Sequence, residues 1–224
     1  MSSTNLKKDL YLVSLVGLLV GLLIQPILSS TKVLALVTSY VPLSNVSLRV
    51  LICLFFLVLA PLALWLASRL TRFFSFIYQV AKFAAVGTLN SFIDLGFFSL
   101  LGLLMGQPLG GTFAFGAMKT ASFLAATTNS YFWNKLWTFG DVSKNDTSKV
   151  VKFYVITGLN FLVNVGVATA ISSMRPEGLI WVNVISPVCG IFAGMAGNFF
   201  GYKLLVFGKS ASSGSATTPA TPKS

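Results

Sequence analysis

Residues 82–99 read KFAAVGTLNSFIDLGFFS, an apolar run that carries Asn90 and Asp94 in its interior. Of the five acidic residues in the chain, Asp94 is the only one set within a hydrophobic segment. Seventy residues on, Lys152–Thr169 reads KFYVITGLNFLVNVGVAT, with Lys, Phe, Leu, Asn and Gly at matching places and Asn164 where Asp94 stood. A second pattern recurs at a spacing of 68 residues: Ser130–Gly140, SYFWNKLWTFG, returns as Asn198–Gly208, NFFGYKLLVFG. The chain therefore uses one two-helix unit twice. Two-helix repeats share one orientation, so the internal symmetry is parallel and not inverted.

Working outward, 55% of residues are hydrophobic, 9% are charged and the mean hydropathy is +0.83. A soluble surface needs about 25% charged residues, so the chain belongs in the lipid bilayer. A helix crosses a hydrocarbon core of about 30 Å with about 20 apolar residues. Six segments approach that length: Leu10–Leu28, Val50–Ser68, Lys82–Leu104, Gly111–Trp133, Val151–Ser172 and Leu179–Gly201. They are apolar on every side and rich in Leu, Ala, Phe and Gly, which fits helices and excludes the alternating strands of a membrane barrel. The fold expected is an all-α polytopic membrane protein with six transmembrane helices. Its predicted divisions are a helical pair over 1–70, an interfacial amphipathic segment over 71–81 with an ordinary extension of the third segment as the equal alternative, a four-helix domain over 82–209 and a disordered tail over 210–224.

The net charge of +11 would suggest nucleic acid in a soluble protein. Here the cations belong to loops. Twelve of the sixteen Lys and Arg fall on the side that holds both termini, against Lys32, Arg49 and Arg175 on the other, with Lys119 inside the fourth segment. The positive-inside rule then places both termini in the cytoplasm, in a multi-pass protein of the cytoplasmic (inner) membrane with no nucleic-acid partner. The first apolar run, about 18 residues, exceeds the 7–15 of a signal-peptide core, which favours a membrane helix over a cleaved leader.

Cys53 and Cys189 lie in separate helical segments without a CxxC partner, and there is no histidine. No disulfide framework, metal site or cofactor is expected, and triads built on histidine are excluded. The reading is of a protein that is not an enzyme.

In the third segment Gly87, Asn90 and Asp94 share one helical face, and Thr157, Asn160 and Asn164 are their counterparts in the fifth. If the third segment enters at Lys82, Asp94 lies about 18 Å into the membrane, and Lys119, entering from the far side, reaches about the same level. A lone charge at mid-helix costs about 2.5–3.5 kcal/mol on insertion scales, so a buried Asp94–Lys119 pair near the midplane is expected. Such a pair either fixes helix register or forms the polar floor of a substrate pathway, and intramembrane ionisable groups favour the pathway. Ala117, Ala121 and Ala125 form a small-residue ridge, as do Gly190, Gly194, Gly197 and Gly201 in the sixth segment, both suited to close helix packing. Asn134, Lys135, Trp137 and Phe139 read as an aromatic and basic belt at the cytoplasmic boundary.

Together these patterns resemble the GtrA family, the membrane domain also found appended to some dolichol-phosphate mannose synthases. The resemblance spans about residues 78–208 and rests on KFAAVGTLNSFIDLGFF, AMKTASFLAATTNSYFWNKLWTFG and their weaker second copies. Gly87, Asn90, Asp94, Lys119, Asn134, Lys135, Trp137 and Phe139 match. In the second copy Asn198, Lys203 and Phe207 match, while Tyr202 and Leu205 stand where Asn134 and Trp137 would repeat. The resemblance implies a translocator of a polyprenyl-phosphate-linked sugar in cell-surface polysaccharide synthesis, working beside a membrane glycosyltransferase. On that reading Asn90, Asp94 and Lys119, with Asn160 and Asn164, pass the headgroup. Asn134, Lys135 and Lys203, with Lys152, meet it at the cytoplasmic side. Two alternatives stand beside this one: a non-transporting anchor or recruiting partner for a glycosyltransferase, and a small-multidrug-like proton-coupled exporter. The exporter class works as dimers of opposite orientation, which the charge bias of this chain opposes. A homo-oligomer is left open, as are the sugar and the purpose of the first two helices.

Overall fold

The computed structural model describes residues 3–30, 33–40, 44–71, 73–74, 76–105, 112–143, 146–174, 181 and 185–208. Among these there is no strand. The helices are α1 (Ser3–Ser30), α2 (Val33–Tyr40), α3 (Asn45–Leu70), α4 (Ile77–Met105), α5 (Thr112–Trp133), α6 (Thr147–Met174) and α7 (Ser186–Gly201). The expected 210–224 tail lies outside the described residues.

Among the described residues, five spans are long and apolar enough to cross a membrane: Leu6–Ser29, Asn45–Leu70, Ile77–Met105, Thr147–Met174 and Ser186–Val206. The remaining expected span, the fourth, is α5, with 22 residues, enough for about 33 Å of helix. Its Thr, Ser and Asn content and Lys119 set it apart from the others in apolarity. Hydroxyls inside the spans bond back one turn, as Ser14 does to the Leu10 carbonyl, Thr88 to Ala84 and Ser91 to Gly87, which satisfies them where water is absent.

By compactness the chain forms two units, residues 1–144 and 145–224, the first of which takes in both the predicted helical pair and the first repeat. The reason is α1, which packs on both α3 and α4 and so joins the first pair of helices to the first repeat. Its buried stripe, Val13, Val16 and Val20, meets Leu64 of α3 and Val86 and Leu89 of α4 in one core. Close approach is possible at Gly17 and Gly21, where an added Cβ would lie 2.2 Å from the Phe56 carbonyl oxygen and 2.7 Å from the Cys53 Cα. At the other end of this contact Arg49 donates to the Gln25 side chain at 3.0 Å and to Ser29 Oγ at 3.0 Å. The Ser44 hydroxyl caps the start of α3 by accepting from the Ser47 amide at 3.1 Å.

Part of the predicted 71–81 segment is continuous with the next helix. Ile77–Ala81 form the start of α4, and Phe73, Phe74 and Phe76 stand exposed in the turns before it. In the first unit α4 packs on α5; in the second, α6 packs on α7.

Both copies of the aromatic pattern end in a π-helical turn, Asn134–Thr138 after α5 and Tyr202–Val206 after α7. The closing bonds run from the Phe139 amide to the Asn134 carbonyl and from the Phe207 amide to the Tyr202 carbonyl, each 2.8 Å. Such turns are rare and concentrate where a helix must present side chains at an unusual angle. After the first, Gly140 adopts a φ of 63°, which spares a Cβ clash and lets the Asp141 amide reach the Lys135 carbonyl at 2.7 Å.

Candidate functional site

A polar seam runs between α4 and α5. Lys119 forms an ion pair with one oxygen of Asp94, while Ser122 Oγ donates to the other at 2.6 Å. One turn along, Asn129 donates its amide to Asn90 Oδ1 at 2.8 Å. Asn90 and Asp94 are four apart, as helical neighbours must be to share a face, and Ser122 is completely buried beneath them. The pair is not sealed within this unit: the side chains of Lys119 and Asp94 are 43% and 22% exposed. The expected buried pair is thus a half-open one, with the Lys119 ammonium 6.0 Å from the Phe98 ring. Gly87, expected on this face, has nothing within 4 Å of where its Cβ would stand. The alanine ridge Ala117, Ala121 and Ala125 is exposed on the unit, because α5 turns Met118, Ser122 and Ala126 inward instead.

At the end of this unit that carries the N-terminus lies a second polar cluster. Asp9 of α1 is 8% exposed. It accepts from the Tyr78 hydroxyl and from the Trp137 indole, both at 2.8 Å, and pairs with Lys82 at 2.6 Å. Lys82 Nζ also lies 5.0 Å from the Tyr78 ring and 5.4 Å from the Trp137 ring, within cation–π reach. Trp137 is therefore a buried hydrogen-bond donor and not an interface anchor; the π-helical turn swings it inward. Asp9 escapes a reading that looks for acids only inside apolar runs. The signal it does give is spacing: Asp9, Val13, Val16 and Val20 fall at i, i+4, i+7 and i+11, one buried helical face.

Asn134 and Lys135 are buried in the same turn, at 1% and 3% exposure. Asn134 donates to Ser130 Oγ at 3.2 Å, and Lys135 donates to the Ser143 carbonyl at 2.8 Å. That ammonium closes the loop after the turn instead of facing outward to collect a phosphate.

In the second unit Asn160 and Asn164 face the glycine ridge of α7. An added Cβ would lie 1.8 Å from Asn160 Oδ1 at Gly197, 3.0 Å from the Asn160 carbonyl oxygen at Gly194 and 2.5 Å from the Asn164 carbonyl oxygen at Gly190. Asn160 donates to the Ile156 carbonyl at 2.9 Å. Tyr202 stacks on Phe153 with ring centroids 4.2 Å apart and bonds Thr157 at 2.6 Å. Lys203 lies 5.4 Å over the Phe199 ring, and Lys152 is exposed. The glycines serve helix packing, as their spacing predicts.

Long apolar helices whose few interior polar groups answer one another define an α-helical, multi-pass membrane protein. More particularly, the chain belongs to the GtrA/DPMS family: the family model described as "GtrA/DPMS, transmembrane domain" matches residues 82–213. Helices α1, α2 and α3 lie outside that match. Among curated proteins it is similar to "Uncharacterized membrane protein YngA" of Bacillus subtilis (strain 168), with 30% identity over 138 residues, 60% of this chain and 82% of the relative. No solved structure matches the chain.

Proposed function

We propose that this protein translocates a polyprenyl-phosphate-linked sugar across the cytoplasmic membrane, with both termini in the cytoplasm, in cell-surface polysaccharide synthesis. The observation that supports this most is the half-open Asp94–Lys119 pair within two paired helices. A phosphodiester headgroup carries one negative charge and several hydroxyls, and neither enters hydrocarbon without partners. Lys119 supplies the countercharge. Asp94, with Asn90 and Asn129 one turn away, accepts or exchanges the hydroxyl hydrogen bonds. Asp94 and Lys119 neutralise each other while no headgroup is present, so the seam rests without a net charge. The chain itself makes and breaks no covalent bond on this reading.

The test is headgroup access in proteoliposomes that hold a polyprenyl-phosphate hexose in both leaflets, with an impermeant reagent outside. We expect the intact protein to expose the inner-leaflet pool. Asp94→Asn, which leaves Lys119 without its counterion, is expected to slow this by about tenfold or more at equal protein level. A variant as fast as the intact protein, or intact protein no faster than empty vesicles, would sink the reading.

A second reading, a non-transporting partner that recruits a membrane glycosyltransferase, has one observation in its favour: the alanine ridge of α5 is exposed on its unit, as a surface for another helix would be. It predicts co-purification with such an enzyme and full tolerance of Asp94→Asn.

A further inference from the structure

We propose a second ligand site, for a phosphosugar headgroup, in the cavity beside Asp9. This rests on the reading that the protein handles a sugar phosphate, and it adds a docking place distinct from the Asp94 level. The cavity holds about 720 Å³ and is lined on its polar side by Lys8, Asp9, Tyr78 and Lys82, with Trp133 and Trp137 as aromatic walls. Small-molecule sites run from about 300 to 1,000 Å³ and pair apolar walls with a few converging polar groups.

The charge count selects the ligand. The lining carries two lysines and one aspartate, leaving one positive charge, which a phosphodiester monoanion balances. Lys82 is held in place by Asp9 at 2.6 Å, whereas Lys8 is exposed at the rim and reaches the phosphate as a mobile point charge. Trp133 and Trp137 meet edge to face, 5.5 Å apart at 77°, and Trp133, the less buried of the two, offers an indole face to the apolar side of a pyranose ring. An ionised carboxylate has about four lone-pair sites. Tyr78, Trp137 and Lys82 occupy three at Asp9, and one is left for a sugar hydroxyl. Phe132 and Leu136, 45% and 60% exposed, complete the lining with an apolar flank along which a polyprenyl chain would lie.

A purely structural staple between α1 and α4 would account for the Asp9 bonds. It would not call for an open cavity walled by a second tryptophan and rimmed by a second lysine. The first helix would then do more than anchor the chain: it supplies Lys8 and Asp9 to a site whose other groups come from the start of α4, the end of α5 and the turn that follows it.

The test is equilibrium binding to the full chain in lipid nanodiscs, using three probes: a short-chain polyprenyl-phosphate hexose, the same lipid hexoside without phosphate, and free hexose 1-phosphate. The variants are Lys8→Glu, on the exposed rim, and Trp133→Ala, with unfolding midpoints measured alongside. We expect the phosphate-bearing lipid to bind and each variant to weaken it by about tenfold or more, with the hexoside lacking phosphate bound far less well. Lys8→Glu lies outside the core, so its result stands even if Trp133→Ala unfolds. Competition by hexose 1-phosphate at matching concentration would assign the site to a soluble phosphosugar, and failure to compete would assign it to the lipid headgroup; either upholds the site. Binding by intact protein that Lys8→Glu leaves within about threefold would overturn this site and leave the translocation reading standing. Intact protein that binds none of the probes would overturn both.

Discussion

Asp9→Ala is expected to destabilise the first unit by about 3–5 kcal/mol, the range for removing one partner of a buried charge pair. Asp9 is the shared acceptor for the Tyr78 hydroxyl, the Trp137 indole and the Lys82 ammonium. Its own side chain and that of Lys82 are 11% and 13% exposed, so water reaching them through the neighbouring cavity replaces only part of what is lost. Without the carboxylate an ammonium and two neutral donors face one another, and donors left unpaired in a desolvated place cost more than the bonds themselves contribute. Helix α1 reaches the π-helical turn through this carboxylate, whereas its valine stripe meets α3 and α4 farther along. Unfolding in detergent should therefore begin with release of the α1 N-terminal end and exposure of Trp137, visible as a red shift of tryptophan emission. Asp9→Asn keeps an acceptor but loses the charge, and is expected to lie between the intact protein and the alanine variant. The double variant Asp9→Ala with Lys82→Met removes both charges and should recover much of the loss, since replacing a buried pair by apolar groups is often close to neutral. An unfolding free energy for Asp9→Ala within about 0.5 kcal/mol of the intact protein, the range of an ordinary surface substitution, would show that the cluster does not hold α1.

The same cluster marks where sequence reading reaches its limit. The helical class and the approximate spans were legible, because apolar runs of that length have few other places to go. The Asp94–Lys119 contact was legible for a related reason: two opposite charges inside neighbouring apolar segments have little else to answer them, and helical rise placed them at one level. Asp9 was hidden by its neighbours. It stands among Lys7, Lys8 and other polar residues, where a carboxylate is ordinary, and only its register with Val13, Val16 and Val20 distinguishes it. Trp137 was misread because composition cannot tell an inward tryptophan from one at a membrane boundary; the π-helical turn that decides the matter adds one residue to the helical repeat and breaks the periodicity used to assign faces. Lys135, read as part of the boundary belt, is buried and donates to the Ser143 backbone carbonyl, an acceptor that carries no sequence signature. The alanine ridge of α5 shows that small residues permit close packing without specifying it, whereas the glycine ridge of α7 is occupied as expected. Two halves alike in sequence also differ in chemistry: the first holds an ion pair where the second holds Asn164 against Gly190.

That glycine gives the second large effect. Gly190→Leu is expected to separate α6 from α7. A Cβ at position 190 would stand 2.5 Å from the Asn164 carbonyl oxygen and 2.9 Å from the Ala168 Cβ. Both belong to the body of a continuous helix and cannot turn aside. In lipid there is no hydrophobic force to press the two helices together, and association depends on close van der Waals contact between small residues. Moving the backbones apart at Gly190 therefore loosens the whole hairpin, including the 3.0 Å approach at Gly194. Even Gly190→Ala is expected to cost about 2–3 kcal/mol, toward the upper end for overpacking. Gly197 provides the control. There an added Cβ would come within 1.8 Å of Asn160 Oδ1, nominally the worse clash, but the atom is the end of a side chain that can rotate. Gly197→Ala should then lose little beyond the Asn160 bond to the Ile156 carbonyl, about 1 kcal/mol. The order of the two alanine variants in an SDS unfolding titration decides the point. If Gly197→Ala proves as destabilising as Gly190→Ala, side-chain and backbone obstruction weigh equally at this contact, and the backbone approach at Gly190 is not what limits it.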